Sequence, residues 1–135
     1  MLKLSKVIIS SGKRKTAVAR ASLKAGTGKI KINNIPVDLY QPVLYKLRIQ
    51  EPLILAGDVA KKVDITITVN GGGPMGQADA VRLAISRALT SFNNKLKPVF
   101  LDYDRQLLVA DVRLKEQHKP NRHGSARSKK QKSYR

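Results

Sequence analysis

Along the first third of the chain, apolar and polar residues alternate with the two-residue period of half-buried strands. Residues 7–9 form a short apolar run, residues 17–23 alternate with Val18 and Arg20 on one face, and Lys29-Ile30-Lys31-Ile32 alternates again. Gly12-Lys13-Arg14-Lys15 reads as a basic turn and Ala25-Gly26-Thr27-Gly28 carries turn chemistry, so the region predicts a hairpin whose outward face presents Lys29 and Lys31. Asn33-Asn34-Ile35-Pro36 breaks the alternation. Residues 42–50 then read as a short helix ended by Pro52, with residues 53–56 adding another turn. The clearest strand is 63–69, with Val63, Ile65, Ile67 and Val69 on one face. A glycine-rich loop follows at 70–76, and the period lengthens. Ala78, Val81, Ile85, Ala88, Leu89 and Phe92 share one face of a helix over 77–92, flanked by Arg82 and Arg87, with Leu83 on its polar side. Lys97-Pro98 closes this unit, and 107–112 is a last apolar segment. The order β-β-β-α-β-α predicts a two-layer α/β (α+β) sandwich, an about four-stranded sheet with helices packed on it.

Charge divides this pattern into parts. Residues 1–37 hold nine Lys/Arg and no acid, residues 38–112 hold nine Lys/Arg against eight Asp/Glu, and residues 113–135 hold nine against one. A nearly neutral centre thus lies between cationic ends, within a total of +18. Such a charge makes a free chain repel itself, and a polyanionic partner relieves it. From Gln117 onward the sequence has no Leu, Ile, Val, Phe or Met, too little apolar surface to offset ordering. The expected organisation is a globular domain over 1–112 and an extended basic tail over 113–135. The length is that of one domain with a small aliphatic core, since there is no Trp and only six aromatic residues. Absence of Cys excludes a disulfide framework, thiolate metal ligands and a cysteine nucleophile. No apolar run approaches a membrane span and residues 1–10 lack a signal-peptide pattern, so a soluble intracellular protein is expected.

Candidate chemistry points the same way. Gly71-Gly72-Gly73 precedes a helix, a context for backbone N–H groups to meet a phosphate. Yet Gly76-Gln77-Ala78 stands where a Walker motif needs Gly-Lys-Ser/Thr, so the loop reads first as a tight connection that also tolerates an RNA phosphate. Lys13, Arg14, Lys15 and Arg20 place four cations within eight residues, suited to RNA phosphates. His118 and His123 lack the neighbours of a metal site. Asp102, Asp104 and Asp111 read as caps and ion-pair partners rather than as an acid–base pair. The end of the tail combines Lys and Arg with Ser, Gln and Tyr134, which can donate to and stack on RNA. A DNA-compacting protein and a small-molecule kinase are the competing classes. The first would need a preference for duplex DNA, and the second needs a catalytic Lys or acid that is not placed for it.

Gly12-Lys13-Arg14-Lys15-Thr16-Ala17-Val18-Ala19-Arg20, Val69-Asn70-Gly71-Gly72-Gly73 running into Gly76-Gln77-Ala78-Asp79-Ala80-Val81-Arg82, and Gln131-Lys132-Ser133-Tyr134-Arg135 follow one another in order. Together they resemble the family of the universal ninth protein of the small ribosomal subunit, in its archaeal and eukaryotic branch. The stretch 117–123 departs from the glycine- and lysine-richer tail of that family. The resemblance implies a left-handed βαβ crossover, a cytoplasmic place in the head of the ribosomal small subunit and no enzymatic activity or cofactor. It implies as partners small-subunit rRNA, peptidyl-site tRNA and neighbouring head proteins, and no membrane. Candidate rRNA contacts are Lys13, Arg14, Lys15, Arg20, Lys29, Lys31, Gly71, Gly72, Gly73, Arg82 and Arg87 in the body. In the tail they are Arg113, Lys115, Lys119, Arg122, Arg127, Lys129 and Lys130. The tRNA-contacting residues would be Lys132, Ser133, Tyr134 and Arg135, with Arg135 the main phosphate contact.

Overall fold

In the computed structural model, which describes residues 6–129 and 134, the first alternating segments close as an antiparallel hairpin. It consists of β1 (Ile8–Arg14) and β2 (Ala17–Ala25). The register Arg14↔Ala17 leaves a two-residue turn, Lys15-Thr16, with Lys15 at φ 54°. Gly12, expected in the turn, lies inside β1. A Cβ there would stand 2.2 Å from the Ala80 carbonyl oxygen and 2.8 Å from the Ala84 nitrogen, so glycine serves helix packing rather than chain reversal.

The remaining strands are β3 (Ile30–Ile32), β4 (Ile35–Pro36) and β5 (Val63–Asn70). The sheet order is β1-β2-β5-β3-β4, five strands where about four were expected. β5 lies between β2 and β3, antiparallel to the first and parallel to the second. β2 and β3 are therefore not hairpin partners, although they are adjacent in sequence. The extra strand arises because Asn33 and Asn34, at φ 48° and 68°, form a two-residue hairpin turn instead of merely ending β3. The Asn33 side chain extends the ladder along β5: its Nδ2 donates to the Val69 carbonyl (3.2 Å) and its Oδ1 accepts from the Val69 N–H (3.0 Å). At the other end of β5, Asp64 Oδ1 accepts the N–H groups of Lys29 (2.9 Å), Thr27 (3.0 Å) and Gly28 (3.1 Å). The bonds from Lys29 and Thr27 hold its carboxyl below the usual carboxylate range.

Three α-helices cover one face. α1 (Val43–Ala56) continues through Pro52, where the sequence predicted a break. Ile49, Pro52 and Ala56 are its buried face, and that packing compensates the one backbone hydrogen bond proline cannot donate. α1 forms the crossover between the parallel strands β3 and β5. α2 (Pro74–Phe92) begins at Pro74, the position where a missing N–H costs nothing. α3 (Leu96–Tyr103) has no counterpart in the predicted elements. Pro98 was read as a terminator but occupies the first turn of α3, where its N–H would be unpaired in any case.

The core lies between the helices and one sheet face, built from Ala17, Ala19, Ala21 and Leu23 of β2, Ile32 of β3 and the four apolar residues of β5. Phe100 and Leu107 close it at the end of α3. The small residues of β2, with Gly12, let α2 approach closely. Leu83, assigned to a polar side, is buried against β1, its Cβ 3.1 Å from where a Gly12 Cβ would be. After Leu107 no described residue belongs to a helix or strand, and among the described residues no helix is long and apolar enough to cross a membrane.

Candidate nucleic-acid interface

Because the helices cover only one side, the other face of the sheet is open among the described residues. Cross-strand register fixes which residues it carries. Lys13 pairs with Val18, Ser11 with Arg20, Arg20 with Thr68, Ser22 with Thr66, and Thr66 with Lys31. Lys13, Val18, Arg20, Ser22, Thr66, Thr68 and Lys31 are all exposed, while the alternate residues Ala17, Ala19, Ala21, Ile65 and Ile67 are buried. Lys13, Arg20 and Lys31 thus share one surface with hydroxyl side chains between them. Asp64 is the one carboxylate on this face among the described residues, and it is committed to the turn before β3. Lys13, Lys15, Arg20, Lys29 and Lys31 take part in none of the ion pairs among the described residues.

Arg14 behaves differently from the lysines on either side of it. Strand parity turns it toward α2, where its guanidinium lies 3.9 Å from Asp79 and 3.4 Å from Asp111. Asp79 is also paired with Arg48 of α1. Asp111 is held by Arg113 through its Nε and Nη2, at 2.7–3.1 Å, and through the Arg113 backbone N–H at 3.0 Å. These bonds, the side-chain ones foremost, drive the Asp111 carboxyl far below the usual range.

Two predicted rRNA contacts are placed elsewhere. Arg82 is only 6% exposed and lies inside the fold, not on a surface an RNA could reach. Its Nη2 donates to Glu51 of α1 (2.6 Å) and to Asp104 after α3 (3.1 Å). The helical pattern put it at the edge of an apolar stripe, but α2 is packed on several sides. Arg87 is half-buried and donates to the carbonyls of Ser11 (3.0 Å) and Leu108 (3.3 Å), bracing the outer edge of β1. The glycine loop is exposed, with Gly71 and Gly72 at φ 78° and 67°. A Cβ on Gly72 would stand 2.9 Å from the Ala17 Cβ, so the loop's composition follows from its approach to β2.

In the segment 113–135, expected as a tail, Lys115, Lys119, Arg122 and Lys129 are exposed. Arg127 forms a two-bond pair with Glu116 (2.5 and 3.0 Å), and the Lys119 N–H donates to the Ser125 carbonyl (2.8 Å). Residues 116–127 are therefore drawn into a loop, which an even-handed reading of their polarity did not anticipate. Tyr134 is exposed; Lys130, Lys132, Ser133 and Arg135 lie outside the described residues.

Asp104 accepts the Gln106 N–H and pairs with Arg82, and Asp111 pairs with two arginines, so both acids act as the cap and ion-pair partners their setting predicted. Among the described residues no group of three His, Cys, Asp or Glu is arranged to hold a metal ion.

Residues 12–135 match the family model described as ribosomal protein S9/S16. The chain is 52% identical over 132 residues to the small ribosomal subunit protein uS9 of Desulfurococcus amylolyticus, covering 96% of this chain and 94% of that relative. It is 48% identical to proteins of the same name from Methanococcus maripaludis and Methanothrix thermoacetophila, each match covering 96% of this chain and 99% of the relative.

Proposed function

The chain belongs to the ribosomal protein S9/S16 family and is a structural ribosomal protein rather than an enzyme, and from that premise we propose that its body binds small-subunit rRNA while its basic C-terminal residues reach the tRNA in the peptidyl site. The body spans 1–112 in this reading, and 113–135 form the RNA-entering tail beside neighbouring proteins of the subunit head. The observation that carries the proposal is the open sheet face. Lys13, Arg20 and Lys31 lie there without carboxylate partners among the described residues, beside Ser11, Ser22, Thr66 and Thr68. Cations attract the phosphate backbone by releasing counterions, and hydroxyls donate to phosphate or ribose oxygens. Lys15 at the hairpin turn and Lys29 before β3 extend the same cationic surface. The tail cations Lys115, Lys119, Arg122 and Lys129 add to it, with Arg113 and Arg127 still largely exposed beside their acidic partners.

The test compares the full chain with an Arg20→Gln/Lys31→Gln variant, and with a chain lacking residues 133–135. Binding to small-subunit rRNA and to duplex DNA is measured across KCl concentrations. The double variant is expected to bind rRNA more weakly and to lose roughly one unit of salt slope per charge removed. The shortened chain, built into small subunits, is expected to weaken tRNA binding at the peptidyl site. An unchanged slope removes the sheet face from the interface, unchanged tRNA affinity removes the tail end, and a preference for duplex DNA overturns the reading as a whole.

A further inference from the structure

We infer that Asp111 is a positioning residue that pins the root of the tail to the β1–β2 turn, and thereby assembles a cationic groove for an RNA backbone from two parts of the chain. Three observations carry this. First, the described residues beyond Arg113 make no hydrogen bond or ion pair to the body, so the contacts of Asp111 and Arg113 are the last polar tether before the tail. Second, that tether is built into the fold. Asp111 has a side chain only 11% exposed, and Arg14, 17% exposed, reaches both the Asp111 carboxylate and the Arg113 carbonyl (3.4 Å each). Arg14 is itself positioned by Asp79, which Arg48 of α1 holds in turn, so alternating charges run from α1 through α2 and β1 to the tail root. Third, the pinned root faces the turn across an open groove lined by Lys13, Lys15, Thr16, Val18, Leu114 and Lys115.

Lys13 comes from the end of β1 and Lys15 from the turn, and Arg113 and Lys115 from the tail root. Each pair alone is a sparse set of mobile cations. Held opposite one another they present charge to a single strand of phosphates without first having to be ordered. The apolar atoms of Val18 and Leu114, 37% and 59% exposed, give the groove a surface against which ribose or base can lie.

This inference rests on the proposed RNA-binding function, and Asp111→Asn tests it through the sign of the effect. The substitution removes a negative charge from a chain that binds a polyanion, so charge alone predicts tighter binding to rRNA. Loss of the pin predicts weaker binding, by roughly fivefold at about 0.1 M KCl, because the two cation pairs no longer face each other. The second readout needs no RNA. Because the chain has no cysteine, spin labels can be placed through Ser91→Cys on α2 and Val112→Cys beside the pin. Their distance distribution in the free protein is expected to be narrow, and to broaden on Asp111→Asn with the melting temperature of the body little changed. Tighter or unchanged rRNA binding, or a distribution that stays narrow, overturns the inference. A full-length variant carrying Lys119→Gln, Arg122→Gln and Lys129→Gln serves as reference. If it binds rRNA as tightly as the unsubstituted chain, the tail's part in the proposed function fails, and the spin-label result alone then decides whether Asp111 pins the root.

Discussion

Single residues in the basic stretch 12–15 have separate tasks, and alternation along a strand separates them. Gly12 faces α2 at a distance that admits no side chain, Lys13 faces the open side of the sheet, and Arg14 turns back into the ion-pair line. Lys15 occupies the turn at positive φ. Gly12→Ala is expected to destabilise the protein by about 2 kcal/mol, because its methyl would meet the backbone of Ala80 and Ala84, which a helix cannot yield locally. Urea unfolding checks this: the midpoint should fall with the slope unchanged. An unchanged midpoint would mean that α2 can withdraw from β1 at no cost. Asn33 shows the same economy. It supplies a left-handed turn residue and, with one amide, the two hydrogen bonds that Val69 would otherwise lack.

At the scale of elements, α2 is the centre of the molecule. It packs on β1 and β2 through its small residues, on α1 at its side, and on α3 and the following turn through Arg82. Arg82 ties three helical segments together by its bonds to Glu51 and Asp104. Asp104 is pushed up by partial burial, but the Gln106 N–H and the Arg82 guanidinium outweigh this and leave its carboxyl below the usual range. Glu51 and Asp104 remain about a third exposed and can regain water when Arg82 is lost, which limits the cost. Arg82→Met keeps much of the side-chain volume and is expected to lose about 2 kcal/mol of stability. The same variant should leave the salt slope of rRNA binding unchanged. A slope lower by about one unit would instead put Arg82 among the phosphate contacts.

For the whole molecule, the surplus of positive charge acts in opposite directions on folding and on binding. A net charge of +18 on 135 residues repels itself in the free chain, and added salt screens that repulsion. Raising KCl from about 0.05 to about 0.5 M is expected to raise the melting temperature of the free protein while it weakens rRNA binding. A melting temperature that falls with salt would show that the internal ion pairs outweigh the net repulsion. Much of this molecule was legible in the sequence. Period-two alternation identified four of the five strands, all but the two-residue β4, because one sheet face is buried and the other is not, and period-three-to-four spacing identified α2. The charge distribution showed a nearly neutral centre, residues 38–112, between cationic ends without any structure. Three ordered motifs were enough to suggest the family. Only the tertiary structure decided the rest, because each missing piece depends on contacts between residues distant in sequence. β5 inserts between β2 and β3, which local pattern cannot reveal. Pro52 and Pro98 are tolerated because of where they fall in their helices and what packs against them. Arg82 and Arg20 are the same residue type in basic-looking surroundings. One is enclosed by three helical segments and paired with two carboxylates, and the other stands on an open sheet face. Composition counts both as cations, and only the fold determines which remains available to a partner.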